Sequence, residues 1–229
     1  MKILTIGDPH GRDDWKDILY YAKYIDKVVF IGDYFDSFDL DAQTQMENFK
    51  EIVAYKRKFP DKAVLLYGNH DLHYILHTEC YSGFQDKYKW MIETLLLDAE
   101  DVMQWAYEAD GYLFTHAGVT KTWCVRKNID PNNLVESINA QPPESFAYAK
   151  DAVCSRGGDD IFQSPVWVRP YSLAEDMIPG YKQVVGHTEE DQIYMLEDGM
   201  ITVVDAPKSM EYLKINDGEM KINKYKKLK

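Results

Sequence analysis

The chain has 229 residues and a formal net charge of −12, and 45% of its residues are hydrophobic. The apolar share is enough for a sizeable core, whereas the acidic charge disfavours general binding to nucleic acids, which are polyanions. Three widely spaced cysteines without a CxxC pair argue against a disulfide framework. No apolar run is long enough for a signal core or a membrane span, so we expect a cytoplasmic protein with no membrane partner and one domain over residues 1–229.

Short apolar runs alternate with amphipathic stretches along the chain. The apolar runs, rich in Val, Ile and Leu, predict buried strands at Lys2–Ile6, Lys27–Ile31, Ala63–Tyr67, Tyr112–Thr115 and Gln183–Val185. Apolar residues at three- and four-residue spacing predict helices over Asp13–Tyr24, Asp41–Phe59 and Asp86–Tyr107. Strands that alternate with helices indicate an α/β fold with a largely parallel central sheet.

Prolines and glycines interrupt this pattern after Val119, where we expect short helices and loops. Further strands are predicted near the C-terminus, in an antiparallel arrangement, at Ile193–Leu196, Met200–Val204 and Glu211–Ile215. The dipeptides Asp198-Gly199 and Asp217-Gly218 are typical of hairpin turns. The basic tail from Lys224 is expected to be solvated.

Polar side chains follow the predicted strands at their carboxyl ends, where open α/β sheets bind ligands. In chain order they are Asp8, His10, Asp33, Asp36, Asn69, His70, Asp71, His116 and His187. Carboxylate, amide and imidazole donors suit Mn, Fe, Zn or Mg, and the lack of thiolate argues against a structural zinc site. Asp33 is the natural bridge if two cations lie about 3.5–4 Å apart. The sequence therefore predicts a site for divalent cations.

The motifs that carry these side chains resemble the calcineurin-like metallophosphoesterase superfamily, and they extend over most of the chain. They are Gly7-Asp8-Pro9-His10-Gly11, Gly32-Asp33-Tyr34-Phe35-Asp36, Gly68-Asn69-His70-Asp71, His116-Ala117-Gly118 and Gly186-His187-Thr188. The resemblance is strongest to the branch of Ser/Thr protein phosphatases, phage phosphatases and symmetric diadenosine tetraphosphatases. It implies a four-layer α/β/β/α sandwich with mixed central sheets.

The resemblance also implies a ligand set for two divalent metal ions. The implied ligands are Asp8, His10 and Asp33 for the first ion, and Asp33, Asn69, His116 and His187 for the second. Manganese is the preferred expectation, with iron, zinc, nickel and magnesium as alternatives. Glu189 stands where many members of the superfamily have a second histidine. We interpret Glu189 as a solvated loop acid, and the alternative is that it is an extra ligand of the first metal.

The residues implied for catalysis lie beside the metal ligands. His70 would be the general acid for the leaving oxygen, and Asp36 would orient it by a hydrogen bond. Arg169 would bind phosphate oxygens, and Asn69 would help to stabilise their charge. The chain has Asp36-Ser37-Phe38 where protein phosphatases have Asp-Arg-Gly, so one phosphate-binding arginine is missing.

Arg12 and Arg156 are the candidate replacements for this missing arginine. The diadenosine tetraphosphatases in turn usually lack the equivalent of Asp36, so the chain fits neither group fully. The favoured function is hydrolysis of phosphomonoesters, including phosphoproteins, by attack of a metal-bridging hydroxide on phosphorus. Hydrolysis of symmetric dinucleoside polyphosphates is the alternative enzymatic function, and a non-catalytic metal-binding scaffold is the alternative of another class. The expected partners are a phosphorylated small molecule, a nucleotide or a phosphoprotein.

Overall fold

The computed structural model describes residues 1–77, 81–150 and 159–228. The strands in these ranges are β1 (Lys2–Ile6), β2 (Lys27–Phe30), β3 (Ala63–Leu66), β4 (Met103–Gln104), β5 (Ala106–Ala109), β6 (Tyr112–Thr115), β7 (Lys182–Val185), β8 (Tyr194–Leu196), β9 (Ile201–Val203), β10 (Glu211–Asn216) and β11 (Glu219–Lys224). The α-helices are α1 (Asp14–Tyr21), α2 (Ala42–Lys58), α3 (Asn69–Leu76), α4 (Lys89–Asp98), α5 (Lys121–Arg126), α6 (Leu134–Asn139) and α7 (Pro170–Asp176). Short 3-10 turns cover Asp86–Tyr88, Glu100–Val102, Pro131–Asn133, Pro143–Phe146 and Glu197–Gly199.

The strands form two sheets, and each of them mixes parallel and antiparallel pairs. The first sheet has the order β11-β10-β1-β2-β3-β4, in which β1 to β4 are parallel and β10 is antiparallel to both of its neighbours. The second has the order β5-β6-β7-β9-β8, with a parallel centre and an antiparallel strand at each edge. The parallel centres place several strand ends at the same edge of the molecule.

The layer order follows from the alternation of side chains along the inner strands. Leu4 and Phe30 point to one face of the first sheet and join an apolar cluster with residues of α1, α2 and α4. Ile3 and Val29 point to the other face and cluster with Phe114 of β6, so the two sheets pack on each other.

The outer face of the second sheet is also covered. Val185, Ile201 and Val203 form a buried cluster there with Leu173 of α7. Helices therefore lie outside both sheets, and the expected α/β/β/α sandwich with mixed sheets is confirmed. No helix in the described ranges is both long enough and apolar enough to cross a membrane.

The predicted helix over Asp86–Tyr107 is wrong in its C-terminal part. The α-helix ends at Asp98, and the chain then adds β4 to the first sheet and β5 to the second. Backbone N–H groups of Trp105 and Ala106, between and at the start of these strands, donate to the side-chain oxygen of Asn139 at 2.8 and 2.9 Å. The apolar residues after Asp98 are buried by two sheets, which helical spacing alone does not reveal.

The C-terminal strands largely follow the prediction. Asp198-Gly199 joins β8 to β9 and Asp217-Gly218 joins β10 to β11, each in an antiparallel hairpin. Strand β9 also pairs parallel to β7, and β11 begins before the predicted basic tail. The parallel pairing arises because β9 completes a sheet with β7, whereas β11 pairs only with β10 across the predicted turn.

Candidate metal and catalytic site

Five strand ends meet where the two sheets come together. Asp8, Asp33 and Asn69 follow β1, β2 and β3 of the first sheet, whereas His116 and His187 follow β6 and β7 of the second. The parallel direction of these strands brings the side chains to one edge, as the sequence predicted.

The tightest group in the site consists of Asp33, Asn69, His116 and His187. Oδ1 of Asn69 lies 2.9 Å from Nε2 of His116 and 2.8 Å from Nδ1 of His187. Oδ2 of Asp33 lies 3.3 Å from the same Nε2 of His116. Donor atoms of Asp33, His116 and His187 all lie within 4.8 Å of one another, as the ligands of a single cation do.

Asp8 and His10 lie on either side of this group. Nε2 of His10 is 3.8 Å from Oδ2 of Asp33. Oδ1 of Asp8 is 3.3 Å from Nδ1 of His116, and Oδ2 of Asp8 accepts the backbone N–H of His187 at 3.0 Å. Asp33 therefore has His10 on one side and His116 on the other, as a bridging carboxylate requires.

Several of the converging nitrogen and oxygen atoms lack the hydrogen-bond partners that buried polar atoms normally have in the described structure. Nδ1 of His116 lies 3.0 Å from the carbonyl oxygen of Ile31, so it carries the proton of the neutral ring and leaves the lone pair on Nε2. Nε2 of His187 and Oδ1 of Asp8 are buried and have no hydrogen-bond partner within the described ranges. Lone pairs that converge without a hydrogen-bond donor between them fit a divalent cation. The mixed set of oxygen and nitrogen ligands fits several such metals.

Burial and charge shift the pKa values of these ligands in opposite directions. Burial raises the pKa of Asp8, and the neighbouring carboxylates of Asp205 and Asp33 raise it further. Burial alone would also raise the pKa of Asp33, but the imidazoles of His116 and His70 lower it well below its usual range. Asp33 is therefore the more stable anion of the two, which suits a carboxylate shared between cations.

Three of the predicted ligand side chains stand on strained backbone. Asp33, His10 and His187 have positive φ angles of 59°, 43° and 65°, a region that residues other than glycine seldom adopt. The carboxylate of Asp71 holds one of these turns, because it accepts N–H groups of Asp33 and Tyr34 at 2.9 and 3.0 Å. The sequence analysis gave Asp71 no role, because its partners lie in another loop.

Two glycines leave room for the carboxylates. A Cβ on Gly68 would lie 2.1 Å from Oδ1 of Asp33, and a Cβ on Gly186 would lie 2.4 Å from Oδ2 of Asp8. Both distances are far shorter than any van der Waals contact, so any side chain at either position would displace a predicted metal ligand.

The two predicted catalytic residues contact each other directly. Nδ1 of His70 lies 2.7 Å from Oδ2 of Asp36, and the hydroxyl of Tyr74 donates to Oδ1 of Asp36 at 2.5 Å. Burial lowers the pKa of His70, but the charges of Asp33 and Asp36 outweigh it and raise this pKa to about 9. His70 is therefore protonated at neutral pH, as a general acid must be.

The predicted phosphate-binding arginine lies at the rim of the site. Arg169 is exposed, and its Nη1 lies 3.4 Å from Oγ1 of Thr188, beside His187. Arg12 turns its guanidinium to the backbone oxygen of Asp8 at 2.5 Å. Arg156, the other candidate replacement, lies outside the described residues.

Glu189 has a partner away from the metal ligands. Its Oε1 lies 2.6 Å from Nζ of Lys208, and both side chains are exposed. This pairing favours the interpretation of Glu189 as a solvated loop acid.

Asp205 is a buried carboxylate that the sequence analysis missed. Burial raises its pKa to about 6, and its carboxylate in turn raises the pKa of Asp8. It follows β9 at the carboxyl end, so the rule that identified the other acidic residues could have found it. An antiparallel arrangement of the C-terminal strands gives no reason to place Asp205 beside Asp8, whereas the parallel pairing of β9 with β7 does.

Comparisons with known proteins agree with this geometry. The family model for calcineurin-like phosphoesterases matches residues 1–198. The catalytic subunit of serine/threonine-protein phosphatase 4 from Kluyveromyces lactis is 31% identical over 177 residues, which cover 75% of this chain and 52% of that protein. The chain thus spans about half the length of this curated relative.

Two solved structures share the fold at low sequence identity. A cold-active protein-tyrosine phosphatase of a psychrophilic Shewanella superposes with a TM-score of 0.63 at 17% identity, over 96% of this chain and 80% of that one. A serine/threonine phosphatase from Saccharomyces cerevisiae with similarity to human PP5 superposes with a TM-score of 0.63 at 16% identity, over 100% of this chain and 81% of that one. Together with the family match, these likenesses confirm the expected fold and family: the chain belongs to the calcineurin-like phosphoesterases, a family of phosphoric ester hydrolases.

Proposed function

We propose that this protein is a phosphomonoesterase that depends on two divalent cations and acts on small phosphate esters or phosphoproteins. The observation that carries the proposal is the convergence of Asp33, Asn69, His116 and His187, where Nε2 of His187 has no hydrogen-bond partner among the described residues. The relationship to a serine/threonine phosphatase catalytic subunit supports monoesters as the substrate class.

Asp8, His10 and Asp33 would hold one cation, and Asp33, Asn69, His116 and His187 would hold the other. When bound, the cations would supply an activated water and positive charge for the phosphoryl oxygens. Manganese remains the preferred expectation from the family resemblance. The ligand set itself accepts several divalent metals and selects none of them.

The chain's own groups then complete the reaction. In the metal-free protein Asp33 and Asp36 hold His70 in its charged form, and its Nδ1 is hydrogen-bonded to Asp36, so Nε2 is the atom that would give a proton to the leaving oxygen. Asp36 orients the ring of His70. Arg169, exposed at the rim next to His187, would turn its planar guanidinium from Thr188 onto phosphate oxygens, and Asn69 would assist from inside the site.

An assay in manganese with three substrates tests the proposal: p-nitrophenyl phosphate, a phosphoserine peptide and diadenosine tetraphosphate. We expect turnover of the aryl phosphate and the peptide, and loss of both after Asp33→Asn. Faster cleavage of the dinucleotide would instead support the dinucleoside polyphosphate hydrolase. Uptake of metal without release of phosphate from any of the three would support the non-catalytic scaffold.

A further inference from the structure

A second histidine contacts Asp36 from the side opposite to solvent. Nε2 of His73 lies 2.8 Å from Oδ2 of Asp36, the same oxygen that His70 contacts at 2.7 Å. His73 is only 2% exposed and lies on α3, one turn after His70. The structure therefore brings a second imidazole into contact with the partner of the proposed general acid.

The hydrogen bonds around His73 define which ring nitrogen carries the proton. The backbone N–H of Tyr81 donates to Nδ1 of His73 at 3.4 Å, so Nδ1 is the acceptor. The proton of the neutral ring then belongs to Nε2, which lies 2.8 Å from Oδ2 of Asp36; the contact is close and polar, but its angles are not those of a regular hydrogen bond. In the same way, the backbone N–H of Gln85 donates to the hydroxyl of Tyr74 at 2.9 Å, which leaves the hydroxyl proton for Asp36.

Aromatic packing keeps the His73 ring in this orientation. Tyr81 stacks on it with an interplanar angle of 11° and a centroid distance of 5.6 Å. Phe84 and Tyr74 contact its faces and edge at right angles, with centroids at 4.9 and 4.5 Å. A ring enclosed in this way cannot turn its Nε2 from Asp36 without moving the segment after residue 80.

We propose that His73 is a positioning residue for the general acid: it fixes the carboxylate of Asp36, which in turn orients His70. This inference rests on the proposed function. Asp36 stands on strained backbone with φ 69°, and it is buried, so its carboxylate needs donors to hold one orientation. His73 and Tyr74 supply them from α3, and His70 then receives a fixed acceptor.

The same three residues could in principle hold a third cation, because Asp36, His70 and His73 have donor atoms within 4.8 Å of one another. Distance does not separate the two possibilities, because Asn69 lies 2.9 Å from the imidazole of His116 in the proposed cation site. The proton positions differ: Nδ1 of His73 is an acceptor, so its Nε2 faces Asp36 with a proton, whereas Nε2 of His116 faces Asn69 with a lone pair. The proton on Nε2 of His73 therefore favours a polar triad over a cation site.

The experiment compares three variants of His73 on esters whose leaving groups differ in acidity. His73→Phe keeps an aromatic ring without a donor, His73→Asn is polar but too short to reach Asp36, and His73→Gln places an amide N–H near the position of Nε2. A general acid matters most for a poor leaving group, so kcat is measured with phenyl phosphate and with p-nitrophenyl phosphate.

We expect the Phe and Asn variants to lose about 10- to 100-fold in kcat on phenyl phosphate, as is usual when an outer hydrogen-bond partner is removed. The loss on p-nitrophenyl phosphate should be less than about 3-fold, with KM unchanged, because nitrophenolate leaves without a proton. The Gln variant should recover most of the activity. Thermal melting of each variant reports whether it folds.

Other outcomes would overturn the inference. Equal losses on both esters, or no loss on either, would show that His73 is structural only. A third equivalent of metal in the wild type that disappears in the Phe variant would identify a cation site. Wild-type protein without activity on either ester would reject the proposed function. Ring ¹⁵N NMR then decides the inference independently, because a neutral His73 ring that carries its proton on Nδ1 contradicts it.

Discussion

Two neighbouring clusters in this protein have the same composition but different hydrogen bonding. Each contains one buried aspartate and two histidines: Asp33 with His116 and His187, and Asp36 with His70 and His73. In the first cluster, lone pairs face one another and Nε2 of His187 has no partner in the part of the chain that the structure describes. In the second, Nδ1 of His73 is an acceptor, so its Nε2 faces Asp36 with a proton at 2.8 Å, although the angle is not that of a regular hydrogen bond. The position of the imidazole protons, rather than residue type, therefore separates the proposed cation site from the polar triad around Asp36.

The largest effect is expected from a variant that disrupts the first cluster. Asp33→Asn removes the charge that both cations would share, so we expect at least about 10³-fold loss of activity together with loss of bound metal. Mass spectrometry measures the bound metal, and phosphatase assays measure the activity. Asp191→Asn, which removes an exposed acidic charge, is the matched control. Full metal content in Asp33→Asn would contradict the assignment of the bridge.

A variant of the second cluster should separate catalysis from metal binding. His70→Asn removes the proton donor but none of the six proposed ligands, so kcat on phenyl phosphate should fall by about 10²–10⁴-fold while metal content stays the same. Isothermal titration with manganese provides the second measurement. A parallel loss of metal would mean that His70 belongs to the first cluster.

The space left by a glycine offers a test of the first cluster without a change of charge. Gly68→Ala places a methyl group against Oδ1 of Asp33, so metal affinity should fall by roughly 10- to 100-fold. Gly218→Ala is the control, because that glycine has φ +82° with open space around it and should lose only about 1 kcal/mol of stability. Unchanged metal affinity in Gly68→Ala would show that Asp33 can move without consequence.

The second cluster also predicts how stability depends on pH in the metal-free protein. The pKa of His70 rises from 6.5 to about 9 on folding, which corresponds to on the order of 3 kcal/mol. Because the folded pKa is the higher one, this contribution is complete below pH 6.5 and is lost as the pH rises through 9. Urea unfolding between pH 7 and 9 should show the decline.

His70→Asn should flatten this pH profile of unfolding. His77→Asn, which removes a half-exposed imidazole paired with Glu93, is the matched control and should leave the slope intact. The same slope in His70→Asn as in the wild type would assign the proton uptake to another group.

The smallest expected effect concerns Glu189. Glu189→Ala should leave metal content unchanged and alter the free energy of unfolding by less than about 1 kcal/mol, because its ion pair with Lys208 is exposed to solvent. The double variant Glu189→Ala with Lys208→Ala should have the same metal content as Glu189→Ala alone. A fall in metal content would revive its role as an extra ligand.

The sequence was enough to predict most of the site but only part of its surroundings. Asp8, Asp33, Asn69, His116 and His187 follow short apolar strands, and that order alone places them at one sheet edge. The roles of Asp71, Asp205 and His73 depend on contacts with other loops, which neither spacing nor periodicity contains. The chain after Asp98 was misjudged for a related reason, since burial by two sheets resembles one apolar helix face.

One contact has a consequence for how the protein matures. The backbone N–H of His187 bonds to the carboxylate of Asp8 across 179 positions of the chain, and the ring of the same histidine contacts Asn69. So distant a pairing forms late, because its loop closure must be supported by contacts already in place. During synthesis on the ribosome, the growing polypeptide therefore has no complete set of the proposed ligands until both sheets have emerged and docked. Uptake of the second proposed cation would then mark the end of folding rather than its beginning.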